Sequence, residues 1–156
     1  MKKNRIYLEA SALWNLFYGE PGENLVEYLL LHNEYLCLTS IWSQLEIHRG
    51  IQKRINQSEI TSEEGTNLRI YIDTHLQQLT TRRRLEQVPV VEEHVELAKS
   101  LIVECNLYAS DALHVATALN NACETIFVDD YHMERLHDRI APRLRIMRTS
   151  AEIEDI

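Results

Sequence analysis

Short apolar runs of strand length alternate with runs of helix length along this chain, and no other feature restricts the fold as much. Residues 5–9 read as a buried strand. Residues 11–18 read as a helix stopped by Gly19, and Pro21 and Gly22 open a second helix through about residue 32, with Leu25, Val26 and Leu29 on one side. Residues 35–39 predict a second strand, after which Ser40 caps a helix to about Asn56. The next helical stretch begins near Ser58, where Thr61, Ser62, Glu63 and Glu64 offer hydroxyl caps and first-turn acids. It continues, interrupted at Gly65, to Gln87. Residues 88–90 then predict a short strand, placed at a sheet edge by Pro89. Helices follow over 91–106 and 110–122, and strands over 125–128 and 144–147. Strands joined by helices imply right-handed βαβ units and a mostly parallel sheet with helices on both faces. Ligands of such sheets bind beyond the carboxyl ends of the strands. Glu9, Asp129 and Asp130 fall at such ends.

At 156 residues the chain suits one domain, since domains typically run about 100–150 residues. It holds no repeat, no low-complexity tract and no apolar run near the roughly 18 residues of a membrane helix. The basic residues 1–5 are followed by a segment too short and polar for a signal peptide, so the expectation is a cytoplasmic protein with no membrane partner. A net charge of −8 argues against coating nucleic acid by charge alone. It is compatible with a carboxylate centre that carries a local basic rim, and with a basic partner. Cys37, Cys105 and Cys123 are scattered among apolar neighbours and read as buried free thiols.

Several acids stand where carboxylates are costly. Asp111 opens residues 109–119, a helix apolar nearly all round and therefore buried on most sides. A buried carboxylate needs a partner or a cation. The alternative is a capping contact with its own backbone. His114 lies one turn on, facing the same way, and reads as a packed neighbour of the site more than as a ligand. Glu46 sits among Trp42, Leu45 and Ile47, Glu9 ends an apolar strand, and at least one of Asp129 and Asp130 must face the crevice. Taken singly, each also fits a solvated or capping role. The chain offers no Gly-rich phosphate loop, no zinc spacing and no nucleophile elbow around Ser11 or Ser110.

Four segments, in order and spaced over almost the whole chain, carry a family likeness. Leu8-Glu9-Ala10-Ser11-Ala12-Leu13 followed by Glu20-Pro21-Gly22 resembles the opening strand and helix of PIN domains. Residues 40–47 resemble the family's helix that presents an acid, here Glu46. Asp111-Ala112-Leu113-His114-Val115-Ala116-Thr117-Ala118 is similar to the family's Asp-Ala-Leu-His segment, and residues 125–130 to its final Asp-ended strand. The nearest group is the ribonuclease toxin of VapBC-type toxin–antitoxin pairs. The resemblance implies a three-layer α/β/α sandwich around a five-stranded, mostly parallel sheet. It implies a metal-dependent endoribonuclease with Mg²⁺ or Mn²⁺ on Glu46, Asp111 and Asp130, Ser11 beside the metal, and Asp130 ahead of Asp129.

Where the family carries Asp, this chain has Glu9, one methylene longer. Two alternatives to the enzyme follow: a PIN-fold RNA- or partner-binding module weakened in catalysis by Glu9, and a protein whose main role is its antitoxin complex. Arg49, Lys53 and Arg54, or the run Arg82-Arg83-Arg84, would supply the basic rim unless they are plain solvated surface. Trp14, Phe17, Leu25 and Leu29 exceed what one side of a small sheet should need, which predicts a homodimer or antitoxin interface on the N-terminal helices.

Overall fold

The computed structural model describes residues 3–134, 136–140, 143–151 and 153–156. Five parallel strands form one sheet: β1 (Asn4–Leu8), β2 (Tyr35–Ser40), β3 (Leu85–Val88), β4 (Thr125–Val128) and β5 (Arg145–Arg148), in the order β3-β2-β1-β4-β5. Helices α1 (Ala10–Tyr18), α2 (Glu23–Leu31), α3 (Trp42–Asn56) and α4 (Ser62–Thr81) precede β3. Helices α5 (Glu92–Cys105) and α6 (Ala109–Asn120) lead into β4, and the short α7 (Tyr131–Glu134) and α8 (His137–Ile140) lead into β5.

The strand period of two divides the core. Ile6, Leu8, Cys37, Leu85, Phe127 and Met147 face a layer built by α1 to α4. Tyr7, Leu38, Val88, Ile126 and Ile146 face the layer of α5 and α6. Both faces are therefore covered, as a parallel sheet requires, and the result is a three-layer α/β/α sandwich. The chain runs from β1 outward through β2 to β3, then returns to place β4 on the other side of β1. The order reverses between β1 and β4, so the crevice of this fold opens at their carboxyl ends. Cys37, Cys105 and Cys123 are free and buried, and burial pushes the Cys37 and Cys123 thiols up to about 12.

Three features differ from the sequence pattern. Helix α4 stops at Thr81 and does not reach Gln87. A turn through Arg83 at positive φ follows, and the edge strand occupies Leu85–Val88, ahead of Pro89. Glu86 and Gln87 have little strand propensity of their own, but pairing of Leu85–Val88 with Cys37 through Ser40 overrides that. Gly65 does not break α4. It permits close approach to α3, where a Cβ would stand 2.4 Å from Ile55 Cδ1. Phe17, Leu25 and Leu29 are buried within the chain, in the core cluster that also holds Ile47, Ile72 and Leu76, so the expected interface on the N-terminal helices is not an exposed patch. The exposed apolar side chains include Leu45, Val95, Val103 and Tyr108.

Arg82, Arg83 and Arg84 precede β3, at the amino end of the sheet, and Arg84 donates to Leu31 O and Asn33 Oδ1. That run is therefore remote from the crevice. No helix among the described residues is long and apolar enough to cross a membrane.

Gly22, in the turn before α2, has φ +106°, and a Cβ there would meet Thr149 Cβ and Oγ1 at 2.7 Å and Asn15 Nδ2 at 2.9 Å. The Asn15 amide donates to Thr149 Oγ1 at 2.7 Å, so the clash falls on a buried hydrogen bond. Gly22→Ala should lose on the order of 2–4 kcal/mol in urea unfolding, from backbone strain plus overpacking. A change below about 0.5 kcal/mol, the size of an ordinary surface substitution, would contradict this packing.

Candidate active site

Glu9 leaves the central strand and caps the helix that follows. Its backbone is extended, its N–H donates to Phe127 O, and its Oε2 accepts from the Ser11 N–H at 2.9 Å and from the Ser11 hydroxyl. An acid suits that position because unpaired N–H groups face it. Ser11 Oγ in turn accepts from the Asp129 N–H at 2.8 Å. One serine thus fastens the carboxyl ends of β1 and β4 together.

Glu46 approaches from α3 and is gripped by α6. Ser110 and His114 are four residues apart, so they share a helix face. The Ser110 hydroxyl donates to Glu46 Oε1, and His114 Nε2 donates to Oε2 at 2.5 Å. Trp42 Nε1–H donates to Ser110 Oγ at 3.0 Å. His114 is fully buried; its Nδ1 meets the Tyr7 hydroxyl at 2.8 Å, and that hydroxyl accepts from the Ser40 N–H. Burial opposes charge on His114, but the hydrogen bond to Glu46 and the negative charges of Glu9, Glu46 and Asp111 outweigh it and raise its pKa. Burial likewise opposes charge on Glu46, while bonds and charge from His114, with the Ser110 bond, hold its carboxyl below the usual value. The two groups meet at the sheet end, His114 fully buried and Glu46 partly open to solvent.

Asp111 stands in the first turn of α6, half-buried. Desolvation, and then the charges of Glu9, Asp130 and Glu46, push it up to about 6, against a smaller lowering by His114. All four acids therefore lie in one electrostatic neighbourhood. Asp130 Oδ1 accepts from the His132 N–H at 2.7 Å. Asp129 is turned elsewhere: its Oδ1 lies 3.5 Å from Arg148 Nη2 and accepts from the Thr149 hydroxyl at 3.4 Å. Arg49 is exposed, one turn beyond Glu46.

Glu9, Glu46 and His114 each present one ligand atom within 4.8 Å of the others. His114 Nε2 is already engaged by Glu46, which makes it the group that aims that carboxylate. The remaining donors of that cluster, on Glu9 and Glu46, are carboxylate oxygens, the kind of donor a hard divalent cation takes; among the described residues Asp111 and Asp130 lie outside the 4.8 Å cluster.

The family model of the PIN domain matches residues 6–138. The chain belongs to the PIN domain family. Among solved PIN-like structures, FitAcB from Neisseria gonorrhoeae is 16% identical, with 92% of this chain and 97% of that one covered at a TM-score of 0.66. VapBC2 from Rickettsia felis, bound to a DNA fragment from its promoter, is 16% identical over 92% of this chain and 98% of that one, TM-score 0.62. Mycobacterium tuberculosis VapC20, a sarcin-ricin loop cleaving toxin, is 15% identical over 83% of this chain and 93% of that one, TM-score 0.63. At these identities the likeness carries the fold. No curated protein matches this PIN domain in sequence.

Trp42 entered the sequence reading only as an apolar neighbour of Glu46 and Ser110 only in excluding a nucleophile elbow, and neither they nor Tyr7 were taken as site residues. The usable signal was the i, i+4 spacing of Ser110 and His114, which places two donors on one helix face.

The folded value of Asp111 lies above that of an unfolded carboxylate, so the native state holds a proton the unfolded chain has released. Its effect on stability is absent below about pH 4, and stability falls as pH rises toward about 6. Asp111→Asn should therefore raise Tm in metal-free buffer at about pH 8 by roughly 2–4 °C, from about 1 kcal/mol after discounting for water on its exposed side. The gain should vanish near about pH 4. Scanning calorimetry checks it, and an equal Tm difference at both pH values would refute the assignment.

Proposed function

We propose that this chain is a metal-dependent endoribonuclease, the toxin of a toxin–antitoxin pair, with Mg²⁺ or Mn²⁺ held by Glu9, Glu46, Asp111 and Asp130. The single observation that carries this is the approach of ligand atoms of Glu9, Glu46 and His114 to within 4.8 Å of one another beside the switch point of the sheet, with Asp111 in reach of the two acids' charge. A fold that only needed stability would not gather them, because burying like charges costs free energy. When bound, the ion supplies Lewis-acid polarisation of a phosphate and a more acidic water. The protein supplies position. Ser110 and His114 fix both oxygens of Glu46, and Ser11 fixes Glu9 against the end of β4. RNA as substrate and a small antitoxin as partner are supported by fold neighbours described as a sarcin-ricin loop cleaving toxin and as a toxin-antitoxin complex. A homodimer and a cytoplasmic location belong to the same reading.

One observation favours a second reading, a PIN-fold RNA- or partner-binding module with little catalysis. Glu9 Oε2 is turned back onto Ser11 as a helix cap, and a displacement of about 1 Å at a catalytic centre costs on the order of a hundredfold in rate. Mn²⁺ tolerates distorted sites better than Mg²⁺. Incubation of total RNA with the protein in Mg²⁺, Mn²⁺ or EDTA separates the two. The enzyme reading expects cleavage stronger in Mn²⁺, abolished by EDTA and by Asp111→Asn, and a higher Mg²⁺-supported rate in Glu9→Asp. Absence of cleavage by both the parent and Glu9→Asp would leave the binding-module reading. A loss in Glu9→Asp as deep as in Asp111→Asn would mean that the site is built around the longer acid.

A further inference from the structure

Tyr7 is fully buried near the end of β1, in the core cluster that holds Leu38, Val88, Val115 and Ile126. A phenylalanine would fill the same space with no hydroxyl to satisfy, so the phenol oxygen calls for a role beyond packing. We infer that Tyr7 is a positioning residue of the site: its hydroxyl, oriented by the Ser40 N–H, donates to Nδ1 of His114, fixes the imidazole proton on Nε2 and so aims Glu46. Tyr7 itself touches neither metal nor substrate. The inference rests on the ribonuclease reading for its effect on catalysis and names what holds an acid of that site in place.

The direction of each hydrogen bond follows from one amide. A backbone N–H can only donate. The Ser40 N–H, in the last residue of β2, lies 3.0 Å from the Tyr7 oxygen, so that oxygen accepts there. The other partner of the hydroxyl is His114 Nδ1 at 2.8 Å. Among the described residues no third group bonds to the hydroxyl, so its own proton points at Nδ1. A ring nitrogen that accepts carries no proton, and the imidazole proton then stands on Nε2. In the reversed tautomer the phenol proton would be buried without an acceptor. The Nε2 lone pair would also face two carboxylates, since Nε2 stands 2.5 Å from Glu46 Oε2 and 3.6 Å from Glu9 Oε1. An N–H between those acids offsets their repulsion, whereas a lone pair there would add to it.

The two oxygens of Glu46 are thus served by two relays of different kind. On one side Trp42 Nε1–H donates to Ser110 Oγ, and the Ser110 hydroxyl donates to Oε1. A serine hydroxyl can rotate to another acceptor, whereas an imidazole exchanges donor for acceptor only by moving a proton between its nitrogens. The His114 side therefore sets the direction, and Tyr7 sets His114. Its parts are also rigid: Tyr7 lies on the central strand, Ser40 on the neighbouring strand and His114 on α6, with the Tyr7 and His114 rings packed at 5.8 Å between centroids. A carboxylate held by groups on regular elements keeps its aim better than one held by a loop. Partners that orient ligating side chains carry a measurable part of metal affinity.

The test starts from NMR shifts of the His114 ring nitrogens in the full metal-free chain, in mildly alkaline buffer. The expected spectrum has the proton on Nε2 and Nδ1 as a hydrogen-bonded acceptor. Tyr7→Phe keeps the ring and removes the hydroxyl, so Nδ1 should move to the shift of a nitrogen without a donor. Calorimetry should show Mn²⁺ bound about tenfold more weakly by Tyr7→Phe, and RNA cleavage should lose kcat with KM nearly unchanged. Ile126→Val trims the same core layer without touching the relay, and should keep the parent's His114 shifts and Mn²⁺ affinity. A parent proton on Nδ1, or on both nitrogens, would overturn the inference, and that measurement needs no variant to fold. Parent-like shifts and Mn²⁺ affinity in Tyr7→Phe would overturn it too, as would an equal loss in Ile126→Val, which would leave Tyr7 as packing alone. The two failures stay apart. A parent with its proton on Nε2 that binds no Mn²⁺ and cuts no RNA loses the ribonuclease reading, whereas a parent that binds and cuts with the proton on Nδ1 loses only the role of Tyr7.

Discussion

The Glu46 carboxylate, held at both oxygens by Ser110 and His114, is the interaction on which the remaining architecture of the site depends. Glu46 belongs to α3, in the helical layer on one face of the sheet, and its two donors belong to α6, in the layer on the other. The contact therefore joins the outer layers across the carboxyl edge of the strands. Beneath it, the Tyr7 hydroxyl takes the other nitrogen of His114 and a backbone N–H from β2. Each polar group in this column has a partner, which is the condition under which burying them is tolerable. Removing one partner would leave a charge without compensation, a far larger loss than that of a surface ion pair.

That column supplies hydrogen-bond partners to only one of the acids, Glu46. Glu9 is partly satisfied by Ser11 and Asp130 by the His132 N–H, while burial and then the neighbouring negative charges raise the Asp111 carboxyl to about 6. The folded chain thus carries an electrostatic cost at Asp111, and in the proposed function a cation would relieve it. The same economy of position explains Asp129. Its N–H takes Ser11 Oγ and its carboxylate faces Arg148 and Thr149, so of two adjacent acids one anchors the end of β5 and the other borders the crevice.

Most of the fold was legible because both periods are clean. Ile6 and Leu8 alternate with Tyr7, Phe127 alternates with Ile126 and Val128, and the helices between carry continuous apolar stripes. The edge strand was misplaced because Leu85, Glu86, Gln87 and Val88 become a strand only through pairing with β2, a long-range effect with no local signal. The two short helices after Asp130 have one turn each, too little for a period to show. The surplus of large apolar residues in α1 and α2 was read as an interface because their cover comes from within the chain, from each other, from α3 and β2, and at Phe17 from His75 of the mostly polar α4. Acidic candidates could be picked out because carboxylates at the ends of apolar segments are conspicuous. Tyr7 could not, since nothing in sequence relates a tyrosine of β1 to a histidine of α6 that only the fold brings to 2.8 Å.

The central claim is that burial, together with the charges of Glu9, Asp130 and Glu46, raises the Asp111 carboxyl, and we propose that these acids share one cation site. It is tested most directly by following the Asp111 side-chain carboxyl carbon by NMR through a pH titration, without and with Mg²⁺. The account predicts an apparent pKa of about 6 in the metal-free protein and a downward shift on adding Mg²⁺, because the ion favours the charged form. An Asp111 that titrates at about 4, like an isolated carboxylate, and ignores Mg²⁺ would contradict it.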